Sequence, residues 1–115
     1  MKRYRKDRTG ETVPLAAKRP NHVWCMDLVF DNCLNGTNLK ILAIKDEFTK
    51  ECVALEVGTS FRTMRVQRVL ADCIAKFGAP AHLRSDNGRE FVSRSLTLFL
   101  SQSGINTLFI KPGSP

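Results

Sequence analysis

The sequence predicts an α/β fold built on a mixed five-stranded sheet, and three observations carry that prediction. Between residues 23 and 57, three runs of apolar and β-branched residues are separated by short polar turns. Between residues 66 and 77 the apolar period lengthens to that of a helix. A strand–helix–strand alternation then occupies residues 81–110. Short turns join antiparallel strands, whereas a helix between two strands makes them parallel with a right-handed crossover. The prediction is therefore three antiparallel strands, then helix, strand, helix, strand, with helices on the sheet faces.

The first strand runs from Val23 to about Asp31. Trp24, Met26, Leu28 and Phe30 form one alternating set, and Val23, Cys25, Asp27 and Val29 the other. Both sets are apolar enough to predict a central strand covered on both sides. Asp31 to Asn38 is turn chemistry around Asn35-Gly36. Leu39–Ile44 is the second strand, Asp46–Lys50 the next turn, and Glu51–Val57 the third strand. Ser60 is the expected N-cap of a helix whose apolar face holds Val66, Val69, Leu70, Cys73, Ile74 and Phe77. Gly78 and Pro80 end it. A short strand, Ala81–Ser85, leads into Asp86. Ser93 is placed to cap a second helix carrying Leu96, Phe99 and Leu100, ended by Gly104. Ile105–Ile110 is the last strand.

With 115 residues and 43% apolar content, the chain is one domain or part of one, with enough apolar material for a core. No apolar run approaches the roughly 20 residues of a membrane span. The opening Met1-Lys2-Arg3-Tyr4-Arg5-Lys6 lacks the apolar stretch of a signal peptide. The expectation is a cytoplasmic protein with no membrane partner. Cys25, Cys33, Cys52 and Cys73 show no zinc-knuckle spacing, and His22 and His82 have no cysteine pair to join them. The cysteines read as small buried hydrophobes. The formal charge is +7, of which residues 1–20 carry +5 and residues 21–115 carry +2. A basic arm on a near-neutral body suits a polyanion partner; the alternative from charge alone is a solvated tail that binds nothing in particular.

Two aspartates stand out. Asp27 sits at the centre of Val23-Trp24-Cys25-Met26-Asp27-Leu28-Val29-Phe30, and an isolated carboxylate in a buried strand is costly unless something positive lies against it. Asp86 follows the fourth strand in Leu83-Arg84-Ser85-Asp86-Asn87-Gly88, at a strand C-terminus, where open α/β sheets place their ligands. Two such carboxylates suggest a two-metal phosphoryl-transfer site. The structural alternatives are Asp27 as a hydrogen-bonded buried group and Asp86 as a turn former accepting local N–H bonds. Asp31, Asp46, Glu47 and Asp72 fall at turns or on an exposed helix face and are expected to be solvated. Glu90 is nearest the two aspartates among the remaining acids, and reads equally as a surface charge near the start of the second helix.

The residues from Arg19 to Asp27 resemble the start of the catalytic core of bacterial insertion-sequence transposases, which is related to retroviral integrase. Ile44-Lys45-Asp46-Glu47-Phe48-Thr49-Lys50-Glu51 resembles the family's hairpin after the second strand, and Arg84-Ser85-Asp86-Asn87-Gly88-Arg89-Glu90-Phe91 its second catalytic motif. Ile110-Lys111-Pro112-Gly113-Ser114-Pro115 resembles the lead into the third. The resemblance covers about residues 19–115 and implies a ribonuclease-H-like fold with an Asp-Asp-Glu triad binding two Mg²⁺ or Mn²⁺ ions. The implied chemistry is DNA strand cleavage and transfer.

Carried over by motif, Asp27 is the first catalytic and metal-binding acid and Asp86 the second. The family's glutamate would fall beyond Pro115, and neither Glu51 nor Glu90 occupies its place. The reading is thus a basic linker or arm (1–20) followed by a C-terminally incomplete integrase core (21–115), expected to be inactive as a fragment. Lys2, Arg3, Arg5, Lys6, Arg8, Lys18 and Arg19 are the expected DNA-binding residues. Expected partners are DNA, as transposon ends and target, and full-length transposase subunits. The alternatives are a non-catalytic fragment that binds DNA or transposase, and another ribonuclease-H-like nuclease.

Overall fold

The computed structural model describes residues 16–32, 36, 38–86 and 93–110, with the side chains of Asp86 and Ile110 outside the described set. The chain forms β1 (Val23–Asn32), β2 (Asn38–Asp46), β3 (Cys52–Gly58), α1 (Thr63–Phe77), β4 (His82–Asp86), α2 (Arg94–Gln102) and β5 (Asn106–Ile110). These elements follow the predicted order. They build one five-stranded sheet in the order β3-β2-β1-β4-β5. β2 is antiparallel to β1 and β3, while β4 is parallel to β1 and β5. The sheet is mixed, as the connection lengths require.

The core lies on one side of the sheet. Trp24 and Met26 of β1, Leu42 and Ile44 of β2 and Leu83 of β4 meet Val66, Val69, Leu70 and Cys73 of α1 and Leu96 and Leu100 of α2. The strand residues follow the two-residue period and the helix residues the 3.6-residue period, so each element contributes one apolar face. Both helices therefore pack on the face of Trp24 and Met26. Burying each large side chain there contributes roughly 1.5–3 kcal/mol.

The other sheet face is left open by the two described helices. Among its residues, Val29 is 47% exposed, Leu55 61% and Val57 53%. Along β1, Val23 is buried, Cys25 intermediate, and Asp27 and Val29 exposed. The apolar alternation does mark two faces, but the described helices cover only one of them.

Two local expectations change. Ser60 does not cap α1: the N-cap is Arg62, with an extended backbone and no side-chain cap hydrogen bond. Phe61, buried just before the helix, fixes its start, and the Arg65 guanidinium lies 4.2 Å over the Phe61 ring. Ser93 caps α2 as expected, its side chain accepting the Leu96 N–H at 3.2 Å. Cys73 is buried, but Cys25 is only partly so and Cys52 is exposed, because β1 and β3 each have a face without a helix over it. Cys33 lies outside the described residues. Gly78 ends α1 at φ 83°, a left-handed conformation that glycine adopts without strain. Among the described residues, no helix is long and apolar enough to cross a membrane.

Candidate functional site

The site is organised by the parallel pairing of β1 with β4. Its register matches Val23 with His82, Trp24 with Leu83 and Cys25 with Arg84. Position 27 lies two residues beyond Cys25, and position 86 two beyond Arg84. Both positions lie past the last pair of that ladder, on strands that are neighbours in the sheet. Two aspartates distant in sequence thus both follow the last β1–β4 pair, each by two residues.

Asp27 is exposed rather than buried. Trp24 and Met26 take the helix-covered face, so the two-residue period turns Asp27 to the open one. The desolvation cost expected from its apolar neighbours in sequence therefore does not arise. Its partner position on β2 is Ala43, a small side chain that leaves room beside the carboxylate. Among the described residues, no hydrogen bond or ion pair engages the Asp27 carboxylate. The side chain of Asp86, and residues Asn87, Gly88 and Glu90, lie outside the described residues.

The surroundings of β1 are built from residues whose roles the sequence did not reveal. Asp46, expected to be solvated, is only 7% exposed. Its carboxylate accepts the Asn21 N–H at 2.7 Å, the Phe48 N–H at 2.8 Å and the Thr49 N–H at 3.1 Å. It therefore closes the β2–β3 turn and ties it to the segment before β1. Asn21 sits at φ 64°, a left-handed conformation that asparagine tolerates better than most residues. Its Oδ1 accepts Trp24 Nε1–H at 2.8 Å, while its Nδ2 donates to the carbonyls of Phe77 and Gly78, both at 3.3 Å. One side chain thus joins the start of β1 to the end of α1. The Asn-His-Val-Trp run carries the signal for this junction, but not its geometry.

Glu47 likewise departs from the solvated role expected of it. It forms a two-pronged ion pair with Arg84: Nε donates to Oε2 at 2.7 Å and an Nη donates to Oε1 at 3.3 Å. Cys25 occupies the register position opposite Arg84. Burial pushes the Cys25 thiol pKa up, and Glu47 and Asp27 add to the rise, against Arg84 and Lys45. The thiol is therefore kept protonated.

His22 and His82 stack edge to face with ring centroids 5.3 Å apart. His22 Nδ1 accepts the Lys18 N–H at 3.0 Å. His82 Nδ1 is buried and has no hydrogen-bond partner among the described residues. Burial lowers the His82 pKa, and His22, Arg84 and Arg19 lower it further. Lys18 and Arg19 are exposed, as a DNA-binding role requires; Lys2, Arg3, Arg5, Lys6 and Arg8 lie outside the described residues. A groove of about 560 Å³ beside α1 is lined by Glu56, Arg62, Arg65, Arg68 and Asp72 among others, a mixed-charge surface on the helix-bearing side, away from Asp27.

Comparison with known proteins gives concordant results. The sequence profile described as "Integrase core domain" matches residues 17–115. The chain is 39% identical over 101 residues to the insertion element IS476 uncharacterized 39.2 kDa protein of Xanthomonas euvesicatoria, covering 88% of this chain and 29% of that one. It is also 39% identical over 97 residues to the insertion element IS407 uncharacterized 31.7 kDa protein of Burkholderia multivorans, covering 84% and 35%. The chain thus spans about a third of the length of these relatives.

Among solved structures, it superposes on a chain of the simian T-cell lymphotropic virus intasome in complex with PP2A regulatory subunit B56 gamma. The TM-score is 0.75 at 22% identity, over 84% of this chain and 37% of that one. It also superposes on the HTLV-2 integrase catalytic core domain in complex with magnesium, with TM-score 0.70 at 20% identity, over 79% and 60% of the two chains. The fold is that of the ribonuclease-H-like integrase cores.

Proposed function

This chain belongs to the integrase core domain family, and on that premise we propose that it serves DNA transposition, with Asp27 and Asp86 as paired acids that hold a divalent cation for DNA strand cleavage and transfer. The observation that supports the reading is the parallel β1–β4 pairing, whose last pair, Cys25–Arg84, lies two residues before each of the two aspartates.

The donor set fits Mg²⁺ or Mn²⁺. Such hard cations prefer carboxylate oxygens and keep several waters, so they need an acidic group open to solvent. Asp27 meets that need: it is exposed and without an internal partner among the described residues. The solved HTLV-2 core is itself a magnesium complex, which supports a divalent cation here. When bound, ions of this kind activate the attacking oxygen and stabilise the leaving one in phosphoryl transfer, most fully as a pair. The chain's own part is to set the carboxylates on stiff strands, so their spacing is fixed before DNA arrives. The arm residues Lys2, Arg3, Arg5, Lys6, Arg8, Lys18 and Arg19 supply sequence-independent phosphate contacts. The intasome relationship supports DNA and further integrase-type subunits as partners.

The test is DNA affinity with and without Mn²⁺, read by fluorescence anisotropy on a labelled duplex carrying element-end sequence. Mn²⁺ should tighten binding severalfold, and Asp27→Asn or Asp86→Asn should each remove that gain. Glu51→Gln, at an exposed acid on the β2–β3 turn, should retain it. An affinity indifferent to Mn²⁺, or a gain that survives both aspartate substitutions, contradicts the assignment.

A further inference from the structure

The far end of the β1–β2 hairpin projects past its neighbours in the sheet. The β1–β4 ladder ends at Cys25–Arg84, and the β2–β3 ladder ends at Lys40–Gly58. The β1–β2 ladder runs on, through Phe30–Lys40 and Asp31–Leu39 to Asn32–Asn38. Residues 30–32 and 38–40 thus end the sheet as a two-stranded ribbon.

The two-residue period puts Phe30, Asn32, Asn38 and Lys40 on one side of that ribbon. Their side chains line a hollow of about 330 Å³. Phe30 continues the alternating set of Trp24, Met26 and Leu28, yet it is 66% exposed and lies outside the core that those residues form with the helices. Lys40 Nζ stands 5.3 Å from the centroid of its ring. Asn32 and Asn38 are exposed. No acidic side chain lines the hollow, and Cys33-Leu34-Asn35-Gly36-Thr37, between the two asparagines, carries no charge. Asp31 belongs to the alternate set, and its Oδ1 accepts the Asn32 N–H at 2.8 Å.

An aromatic face, two amides and an ammonium match the parts of a nucleotide one by one. An exposed ring stacks on a base of any sequence. A side-chain amide both donates and accepts, as the polar edge of a base requires. An ammonium offsets a phosphate. The core of a protein interface would need more apolar surface than one ring offers. A base inside a duplex is already stacked on its neighbours, so the ligand that fits is an unpaired strand, such as strand cleavage and transfer lay open.

We infer that the β1–β2 ribbon is a binding site for single-stranded DNA, in which Phe30 stacks on an unpaired base, Asn32 and Asn38 bond its edge and Lys40 holds its phosphate. This rests on the reading of the chain as one that acts on DNA. It does not rest on the cation site, because Phe30 belongs to the opposite alternating set of β1 from Asp27.

Fluorescence anisotropy of the whole chain with two labelled strands separates base contacts from phosphate contacts. One strand is oligothymidine, and the other has the same length with abasic sites throughout. Both offer the basic arm the same phosphates. The unmodified chain should bind oligothymidine about tenfold more tightly, in keeping with one base–aromatic stack. Phe30→Ala should remove most of that preference and leave the abasic affinity unchanged, while Phe30→Tyr should keep it. Lys40→Met should weaken both strands and flatten the slope of log affinity against log salt by about 0.7, one phosphate on a single strand.

Equal binding of the two strands by the unmodified chain overturns the inference, as does a preference that survives Phe30→Ala. An unchanged salt slope in Lys40→Met overturns the role of Lys40. Should Phe30→Ala not fold by circular dichroism, Phe30→Leu decides, since it keeps the apolar bulk without the stacking face: a lost preference supports the inference, and a retained one overturns it. Asp27→Asn, run alongside on duplex DNA with Mn²⁺, separates the two readings. If it abolishes the Mn²⁺ gain while no strand preference exists, the cation site stands and the ribbon site falls. If the Mn²⁺ gain persists in Asp27→Asn while Phe30→Ala loses the preference, the cation site falls and the ribbon site stands.

Discussion

His82 carries a buried Nδ1 without a partner among the described residues and packs edge-on against His22, with Arg84 and Arg19 close enough to act on it electrostatically. Its folded pKa therefore lies below the ordinary value of 6.5. The sign of the linkage follows. Below pH 6.5 the unfolded chain binds more protons at this position than the folded one, so stability falls as pH drops from 6.5 towards the lowered folded pKa, then levels off. Urea denaturation at about pH 7.5 and about pH 5.5 should show lower stability at the acid end. His82→Gln should shrink the difference, and a difference unchanged by that substitution would move its origin elsewhere.

At this scale the sequence singled out Asp27 and Asp86 but did not show what surrounds the acids of the β2–β3 turn. Asp27 stood out because an acid in an apolar run is unusual, yet the run's alternation turns it to the open face. Asp46 and Glu47 looked like solvated turn acids because turn position reports local chemistry. It does not report that Asn21 folds over Asp46 or that Arg84 reaches Glu47 from another strand.

The two helices test how much an end residue contributes. Ser93 caps α2 through its side chain, whereas α1 starts at Arg62 with no side-chain cap. Ser93→Ala should cost about 1 kcal/mol. Arg62→Asp should add roughly 0.5–1 kcal/mol, because an N-cap carboxylate can accept a free first-turn N–H and faces the favourable end of the helix dipole. Chemical denaturation midpoints check both. No gain for Arg62→Asp would mean that the capping geometry at Phe61–Thr63 is already satisfied in another way. The order and type of every element were legible, because a change of period from two to 3.6 residues is a strong signal. The start of α1 was not, because Ser60 has the right chemistry, while the buried Phe61 ring decides where the helix begins.

For the molecule as a whole, the sheet order β3-β2-β1-β4-β5 follows from the connections, and it alone brings β1 beside β4. The two-faced apolar pattern was legible as well. Which of the two faces the described helices cover was not, because a strand's alternation shows which residues are apolar and not where a helix lies. The asymmetry in charge belongs to this scale too. Every phosphate that the arm neutralises releases counterions, so DNA affinity should fall steeply with salt. Deleting residues 1–20 should flatten the slope of log affinity against log salt by several units, about 0.9 for each phosphate no longer neutralised. A slope unchanged by the deletion would place the DNA-binding surface on the globular body.

The central claim is that β1 and β4 present Asp27 and Asp86 jointly to one divalent cation. Paramagnetic broadening of backbone amide resonances by substoichiometric Mn²⁺ tests it most directly, because it reads position without requiring catalysis. Selective broadening is expected around residues 25–29 of β1 and 84–86 of β4, abolished by Asp27→Asn and by Asp86→Asn. Broadening centred elsewhere, or a β1–β4 pattern that persists in both variants, would contradict it.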